Sequence, residues 1–397
     1  MDSQNLMQQS QDHLCQTYNR YNLAIARGRG CYLWDHEGRQ YLDFFAGIAV
    51  CNLGHCPPEI SRVMYEQAQQ LVHVSNLYYT EPQVRLAEAL TGSCFADKVF
   101  FCNSGAEANE AAIKLARKYS RNVYGPGRYS IITMKNSFHG RTLATLSATG
   151  QQRIQEGFEP MVDGFRYVEF DRVDAVAEAI DKTVCAVMVE PIQGEGGVRV
   201  PESKYLGDLR ELCTRHDLLL IYDEIQVGMG RTGKLFSHEH EGVTPDIMTL
   251  AKALANGLPI GVMLTTDKVA QAFSPGSHGS TFGGTPLVTA VALEVFRQIS
   301  APSFLEEAQM VGEHFRQRLL ALGEKYSFIK EVRGRGLIMG IELDFPGSEI
   351  VAKSQERGIL INCTAEKVLR FLPPLIVTST EVDRLIETLD SVLSEKN

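Results

Sequence analysis

Leu218-Leu219-Leu220-Ile221-Tyr222-Asp223-Glu224-Ile225-Gln226, followed by Asp246-Ile247-Met248-Thr249-Leu250-Ala251-Lys252, decides how this chain is read. The first run opens with five apolar residues and no alternation, the pattern of a strand buried on both faces. It ends on Asp223, and the second run ends on Lys252. Open α/β sheets bind ligands in the crevice beyond the carboxyl ends of their strands. If the two runs are neighbouring strands, an anion and an ammonium therefore face one crevice. Such a pair suits a cofactor with a basic ring nitrogen and an aldehyde. The carboxylate would keep the ring nitrogen protonated, and the lysine would form an imine. A chain with 39 Lys+Arg and 48 Asp+Glu makes many such pairs for structural reasons alone. The reading therefore needs other stretches that point the same way.

Working outward, 397 residues exceed the usual size of one domain, so two domains are expected, and 44% hydrophobic residues suffice for a large core. A net charge of −9 argues against a nucleic-acid surface. The nine cysteines are odd in number, scattered and free of Cys-x-x-Cys, a reduced cytoplasmic pattern without a zinc framework. Residues 1–16 are polar and lack an apolar core, so no signal peptide is expected. No apolar run approaches the roughly 20 residues of a membrane span, so no membrane contact is expected.

The strands alternate with helical stretches across about 95–270, which predicts a mostly parallel, helix-covered sheet. Lys98-Val99-Phe100-Phe101-Cys102 reads as a strand. Asn103-Ser104-Gly105-Ala106-Glu107 then opens a helix to about Tyr119, with capping-box spacing between Ser104 and Glu107. Small Gly105 and Ala106 would let a ligand reach the free N–H groups of that helix start, a ready anion site. Arg128 to Met134 is a further strand, ahead of Phe138-His139-Gly140-Arg141-Thr142. Ala186-Val187-Met188-Val189 runs into Glu190-Pro191-Ile192-Gln193-Gly194-Glu195-Gly196-Gly197, whose glycines can pass close to a ligand. Towards the N-terminus, two strand-like runs flank the Asp35-His36-Glu37-Gly38 turn. Ile60, Val63, Met64, Gln67, Ala68 and Leu71 recur at helical spacing. Thr285-Pro286 starts a helix through Ile299. Beyond it, a hairpin over 332–343, strands near 359–362 and 367–372 and an amphipathic last helix make a compact α+β unit.

Two motifs are decoys. Gly228-Met229-Gly230-Arg231-Thr232-Gly233 matches G-x-G-x-x-G and, with Lys234, nearly a Walker loop. The stretch Lys234 to Glu241 is too polar and irregular to open a dinucleotide-binding helix, and Leu235 stands where the Walker pattern needs Ser or Thr. His238 and His240 lack a further ligand at metal-binding spacing and read as an exposed loop, so no metal is expected.

Taken together, Ser104-Gly105-Ala106-Glu107-Ala108-Asn109-Glu110, Phe138-His139-Gly140-Arg141-Thr142, the 190–197 stretch, Asp223-Glu224-Ile225-Gln226, Lys252 and His278-Gly279-Ser280-Thr281-Phe282-Gly283-Gly284 resemble the class III pyridoxal-phosphate aminotransferases of fold type I. The resemblance runs from Leu33-Trp34-Asp35 to Leu369-Arg370-Phe371-Leu372-Pro373-Pro374. It implies an α/β large domain with a mostly parallel seven-stranded sheet over 53–289 and a smaller α+β domain over 290–397. Residues 1–52 would pack with the smaller domain. It implies pyridoxal 5′-phosphate as cofactor, with Lys252 bonding its aldehyde and then shuttling the proton. Asp223 would hold the ring nitrogen, Gln226 the ring hydroxyl, and Gly105 and Ala106 the phosphate. Phe138 would stack on the ring, with Ile225 against its other face. Arg141 would grip a substrate carboxylate. Ser280 and Thr281 would reach across a homodimer interface to the partner's substrate and phosphate. Arg370 would take the α-carboxylate of glutamate, and Glu195 would mask it when another donor is bound, swinging on its flanking glycines. The expected reaction moves the δ-amino group of N-acetylornithine to 2-oxoglutarate. Succinylornithine, ornithine, succinyl-diaminopimelate and 4-aminobutyrate are alternative donors, and a catalytically silent pyridoxal-phosphate-binding protein is the rival of another class. Two departures from the family pattern stand out: Ala253-Leu254-Ala255-Asn256-Gly257 replaces a glycine-richer run after the lysine, and Thr285 stands where Asn is usual.

Overall fold

The computed structural model describes residues 2–396. Its first element is the exposed helix Ser3–His13, capped by Asp2, whose carboxylate accepts the Asn5 N–H at 2.8 Å. Three strands come next, β1 (Ile25–Arg29), β2 (Tyr32–Asp35) and β3 (Gln40–Asp43), paired antiparallel in that order. The β2–β3 turn closes because Asp35 accepts the Arg39 N–H at 2.8 Å and the Tyr41 hydroxyl at 2.8 Å.

The large sheet comprises β4 (Lys98–Cys102), β5 (Ser130–Met134), β6 (Phe165–Val168), β7 (Val184–Val189), β8 (Leu219–Asp223), β9 (Ile247–Leu250) and β10 (Gly261–Thr265). Its order is β4-β10-β9-β8-β7-β5-β6, and β10 is antiparallel to both neighbours while the other pairs run parallel. Every residue of β5, β7, β8, β9 and β10 is buried, which is why these strands read as unbroken apolar runs. Alternate residues serve opposite layers. Leu219 and Ile221 pack with Ala111, Ala112 and Leu115 of the helix Gly105–Tyr124, while Leu220 and Tyr222 pack with Leu209 and Leu212 of the helix Tyr205–Arg215. The alanines let the first helix lie close to the sheet. That helix continues past the expected Tyr119, its C-terminal carbonyls closed by Gly125 at φ 82°.

The C-terminal part holds the helix Pro302–Lys325, then β11 (Ile329–Arg335), β12 (Ile338–Leu343), the helix Ser348–Glu356, β13 (Ile359–Leu360), β14 (Asn362–Thr364), β15 (Val368–Phe371) and the helix Ser379–Ser394. Four strands pair in the order β11-β12-β15-β14, and β13 leaves them to run parallel with β3. The last helix buries Val382, Leu385, Ile386, Leu389, Val392 and Leu393, the stripe its 3.6-residue period announces. Leu42 and Phe44 share this core, with Phe44 against Phe315 and Phe315 against Phe371 at ring separations of 5.7 and 5.6 Å. The helix Pro286–Ile299 instead buries Val291, Val295 and Ile299 with Leu250 and Leu264 of the large sheet. We propose the domain boundary just after Ile299 rather than at 289/290, with Cys31, Leu42 and Phe44 belonging to the small domain's core.

Candidate active site

β8 and β9 are parallel neighbours, with Asp223 in register with Thr249. Asp223 ends β8. The chain leaves β9 at Leu250 and starts a single 3-10 turn, Lys252–Ala255, two residues on. The carboxylate and the amine thus face one cavity of about 410 Å³. Gly105, Ala106, Phe138, Arg141, Glu195, Ile225 and Gln226 line it as well. Lys252 is enclosed, and burial pushes its ammonium down to about 8. Glu195, Asp223 and Glu190 pull it up and Arg370 pushes it down, each less than burial does.

Three donors fix Asp223. One oxygen accepts from His139 Nδ1 at 2.8 Å and Asn109 Nδ2 at 2.7 Å, and the other accepts the Ile225 N–H at 3.1 Å. Asn109 is itself locked, donating to the His139 carbonyl at 2.8 Å and accepting from the Thr249 hydroxyl at 2.8 Å. Donors on both oxygens fix the orientation of this buried carboxylate. The roles of Asn109 and His139 in this network are not foreseen from sequence. Both lie inside the family's motifs, and only the fold brings residues 109, 139 and 223 together. Glu190, at the end of β7 beside Asp223, is buried with one N–H partner, that of Phe138 at 3.1 Å. Burial, then the Asp223 charge, hold its carboxyl well above the usual range.

The helix start is built as expected at Ser104, whose hydroxyl accepts the Glu107 N–H at 3.2 Å. Glu107 reaches one residue further back than a capping box, to the Asn103 N–H. Gly105 has a second reason to be glycine: a β-carbon there would sit 2.8 Å from the Ile225 side chain. Ile225 can therefore lie against the first turn and form the cavity floor. Arg141 reaches over the edge of the cavity with its guanidinium 5.5 Å from the Phe138 ring.

Glu195 and Arg370 meet, at 2.6 Å. Arg370 is almost fully buried and also donates to Asn362 Oδ1 at 3.1 Å and Gln226 Oε1 at 3.2 Å. Burial works against the Glu195 charge, but Arg370 and then Lys252 bring its carboxyl below the ordinary value. The glycines beside Glu195 have packing reasons of their own. Gly194 and Gly196 are glycines because a β-carbon would strike Gln226 at 1.8 Å and the Asn136 carbonyl at 2.7 Å. The loop is also pinned, with Gln193 and Arg199 exchanging backbone bonds and Thr364 Oγ1 donating to the Glu195 carbonyl at 2.6 Å.

Ser280 and Thr281 do not enter this cavity. They line an adjoining one of about 420 Å³ with Phe100, Glu107, Glu110 and His278, and Asn103 borders both. The Ser280 hydroxyl accepts the Gly283 N–H at 2.9 Å, a local turn bond. The decoy glycines form turns around Arg231, which is fully buried and donates to the Leu337 carbonyl at 2.9 Å and the Pro373 carbonyl at 2.6 Å. The expected exposed loop at His238 is a correction: His238 is buried against Glu224 at 3.0 Å, and His240 bonds the Thr232 hydroxyl at 3.0 Å. Among the described residues no group of three ligating side chains gathers as a metal site.

Several observations fit an aldehyde-bearing pyridine with a phosphate arm. An amine pushed towards neutrality faces a carboxyl group held by three donors, and the N–H groups of a capped helix start open on the same cavity. Among the described residues His139 Nε2 finds no partner though buried, polarity left over behind Asp223. Fold and site together define a pyridoxal-phosphate-dependent transferase. Over residues 15–393 the chain matches the class-III aminotransferase family, and it belongs to that family. It is 51% identical over 384 residues to the acetylornithine aminotransferase of Caldanaerobacter subterraneus subsp. tengcongensis, covering 96% of this chain and 98% of that one. It is 48% identical over 395 residues to that of Methanocaldococcus jannaschii, with 100% and 99% coverage. The solved ornithine aminotransferase of Toxoplasma gondii ME49 matches with a TM-score of 0.96 at 36% identity, covering 100% of this chain and 96% of that one.

Proposed function

We propose that this aminotransferase moves the δ-amino group of N2-acetylornithine to 2-oxoglutarate, giving N-acetylglutamate semialdehyde and glutamate, a step of arginine biosynthesis. The observation that carries the two-donor chemistry is the Glu195–Arg370 pair within reach of Lys252. The substrate class rests on the acetylornithine aminotransferases it resembles across nearly the whole chain. Pyridoxal phosphate, when bound, supplies the aldehyde that takes up the amino group and the ring that acidifies the neighbouring C–H. Lys252 would hold the aldehyde, and its amine would take and return the proton at the substrate's amine-bearing carbon. Asp223, oriented by His139 and Asn109, would keep the ring nitrogen protonated. Gln226 would meet the ring hydroxyl, Phe138 and Ile225 would enclose the ring, and the N–H groups at Gly105 and Ala106 would take the phosphate. Arg141 would bind the carboxylate at the far end of the donor, bidentately. Arg370 would bind the α-carboxylate of glutamate, and Glu195 would neutralise it while acetylornithine occupies the cavity.

The working unit in this reading is a homodimer. Asn76 Nδ2 donates to the Ser280 carbonyl at 3.0 Å and the Gly283 carbonyl at 2.9 Å, tying 280–283 to an edge that exposes Leu77, Tyr78, Tyr79 and Phe282. An apolar edge of this kind marks a protein contact. It would carry Ser280 and Thr281 into the partner's site. The nine free cysteines support a cytoplasmic setting. The solved ornithine aminotransferase favours ornithine as a second reading. Amino donors assayed with 2-oxoglutarate decide between them: kcat/KM is expected to be highest for N-acetylornithine, and a higher value for ornithine would reverse the assignment.

A further inference from the structure

Directly after Lys252 the chain reads Ala253-Leu254-Ala255-Asn256-Gly257, and the structure gives Asn256 a particular place in that run. Lys252 has φ 41°, and Asn256 has φ 47° and ψ 40°, so the turn between them starts and ends on left-handed residues. That backbone is costly for a residue with a β-carbon, and it persists where the surroundings over-determine it. Asparagine is among the few side chains that tolerate it. Asn256 does more than tolerate it. Its side chain is buried and leaves the turn, with Oδ1 accepting the Leu53 N–H at 2.8 Å and Nδ2 donating to the Gly54 carbonyl at 3.0 Å. Residues 53 and 54 end a strap that begins at Asp43. The strap passes through four consecutive left-handed residues, Ala46–Ala49, and brings Val50 to the cavity wall.

The strap is anchored at both ends. Asp43 accepts the Phe45 N–H at 2.8 Å, the Ala46 N–H at 3.0 Å and His55 Nε2 at 2.7 Å. Asn52 donates to the Met229 carbonyl at 2.9 Å and accepts from Arg231, which also holds two carbonyls of the C-terminal part. Ala253, Leu254 and Ala255 pack the middle of this turn into the large-domain core, and at its left-handed end the Asn256 amide ties it to a segment fixed to both domains.

We propose that Asn256 is a positioning residue for Lys252. Its tie to residues 53–54 holds the lysine-bearing turn in its left-handed geometry and couples the lysine amine to the strap between the domains. This rests on the assignment of Lys252 as the cofactor lysine. Asn256→Gly tests it, since glycine keeps the left-handed backbone and removes only the tie. The variant is expected to fold and bind pyridoxal phosphate, with kcat about 10–100-fold lower and KM for the amino donor little changed. The pH midpoint of the bound cofactor's visible absorbance should move, and the Leu53 amide should exchange with solvent about tenfold faster or more. An Asn256→Gly enzyme with unaltered kcat and absorbance midpoint overturns the proposal, whether or not Leu53 loses protection. Lys252→Ala, run alongside, separates the two readings: full activity there would sink the lysine assignment itself.

Discussion

Glu195→Gln isolates the charge that the proposed two-donor chemistry turns on, because it keeps the volume of the side chain. In the structure Glu195 Oε1 lies 2.6 Å from Arg370 Nη1, with the guanidinium 1% exposed and the Glu195 side chain 29%, so solvent screens the pair in part and from the Glu195 side. For glutamate's α-carboxylate to use Arg370, it must first displace Glu195. A hydrogen bond between charged partners is worth about 1.5–3 kcal/mol and a neutral one about 0.5–1.5. The glutamine amide would still accept from the charged guanidinium, so the competitor loses its charge and keeps a hydrogen bond; a loss of about 1 kcal/mol gives a roughly fivefold gain in apparent affinity for glutamate. The acetylornithine half-reaction should move the other way. Its chain presents no carboxylate at that end, and it would close the cavity over an uncompensated guanidinium. The guanidinium keeps its bonds to Asn362 and Gln226 and loses only its counter-charge, so this half-reaction should weaken by about fivefold, the counterpart of about 1 kcal/mol. Single-turnover rates for each half-reaction, followed through the cofactor's absorbance, measure both. Arg370→Met should spare acetylornithine and abolish the glutamate preference. Equal slowing of both half-reactions by both substitutions would make the pair scaffolding and refute the masking role.

Lys252→Ala should retain pyridoxal phosphate through the helix start and Asp223 while turnover falls by about a thousandfold or more, read as kcat beside cofactor retention on a desalting column. The same lysine sets a pH dependence in the cofactor-free enzyme. Its folded value, about 8, lies below the unfolded 10.5, so between those values the unfolded chain binds the extra proton. Stability should therefore rise with pH across that window, by up to about 3 kcal/mol, and the rise should vanish in Lys252→Ala when denaturation midpoints are compared. Mixing Lys252→Ala subunits with subunits disrupted at Thr281 should restore one site per heterodimer. No recovery after verified subunit exchange would return Ser280 and Thr281 to a purely local turn. His139→Leu should leave Asp223 with two donors and weaken cofactor binding by about tenfold, with an upward shift in the pH at which the bound cofactor's spectrum titrates.

How much of the fold and site was legible in the sequence depended on whether a signal was local. β8 and β9 were readable because burial on both faces removes polar alternation, and the last helix because its six core positions repeat at helical spacing. Asp223 and Lys252 were readable because they end those runs. Asn109 and His139 lay in plain view within the family's motifs, yet their convergence on Asp223 needs three distant segments to meet at 2.7–2.8 Å, and no spacing encodes that. The glycines carry more than the sequence suggested. Gly105, Gly194 and Gly196 read as freedom or ligand approach, and each also leaves room for a neighbouring side chain or carbonyl: Ile225, Gln226 and Asn136. A glycine in a sequence says that space is needed and does not say for what. His238 failed for the same reason, since its partner Glu224 is fixed by the sheet and lies 14 residues away.

The charges of the cavity act on one another, and this ties the masking pair to the lysine. Burial is the main reason Lys252 loses its proton easily, but Glu195 and Arg370 pull on it in opposite directions. While they are joined, their effects on the amine largely oppose each other at close range. A donor without a carboxylate at that end leaves the pair closed and the amine as it stands. When a substrate carboxylate takes the Arg370 fork, it replaces the negative charge that Glu195 supplied there. On the proposed roles, Glu195 would stay near the cavity as an additional anion, its backbone held by Thr364. The proton affinity of Lys252 would then rise, and its amine would be a better base towards the donor that carries an α-carboxylate than towards the one that lacks it. A pair that selected between donors by charge would also adjust the lysine to each.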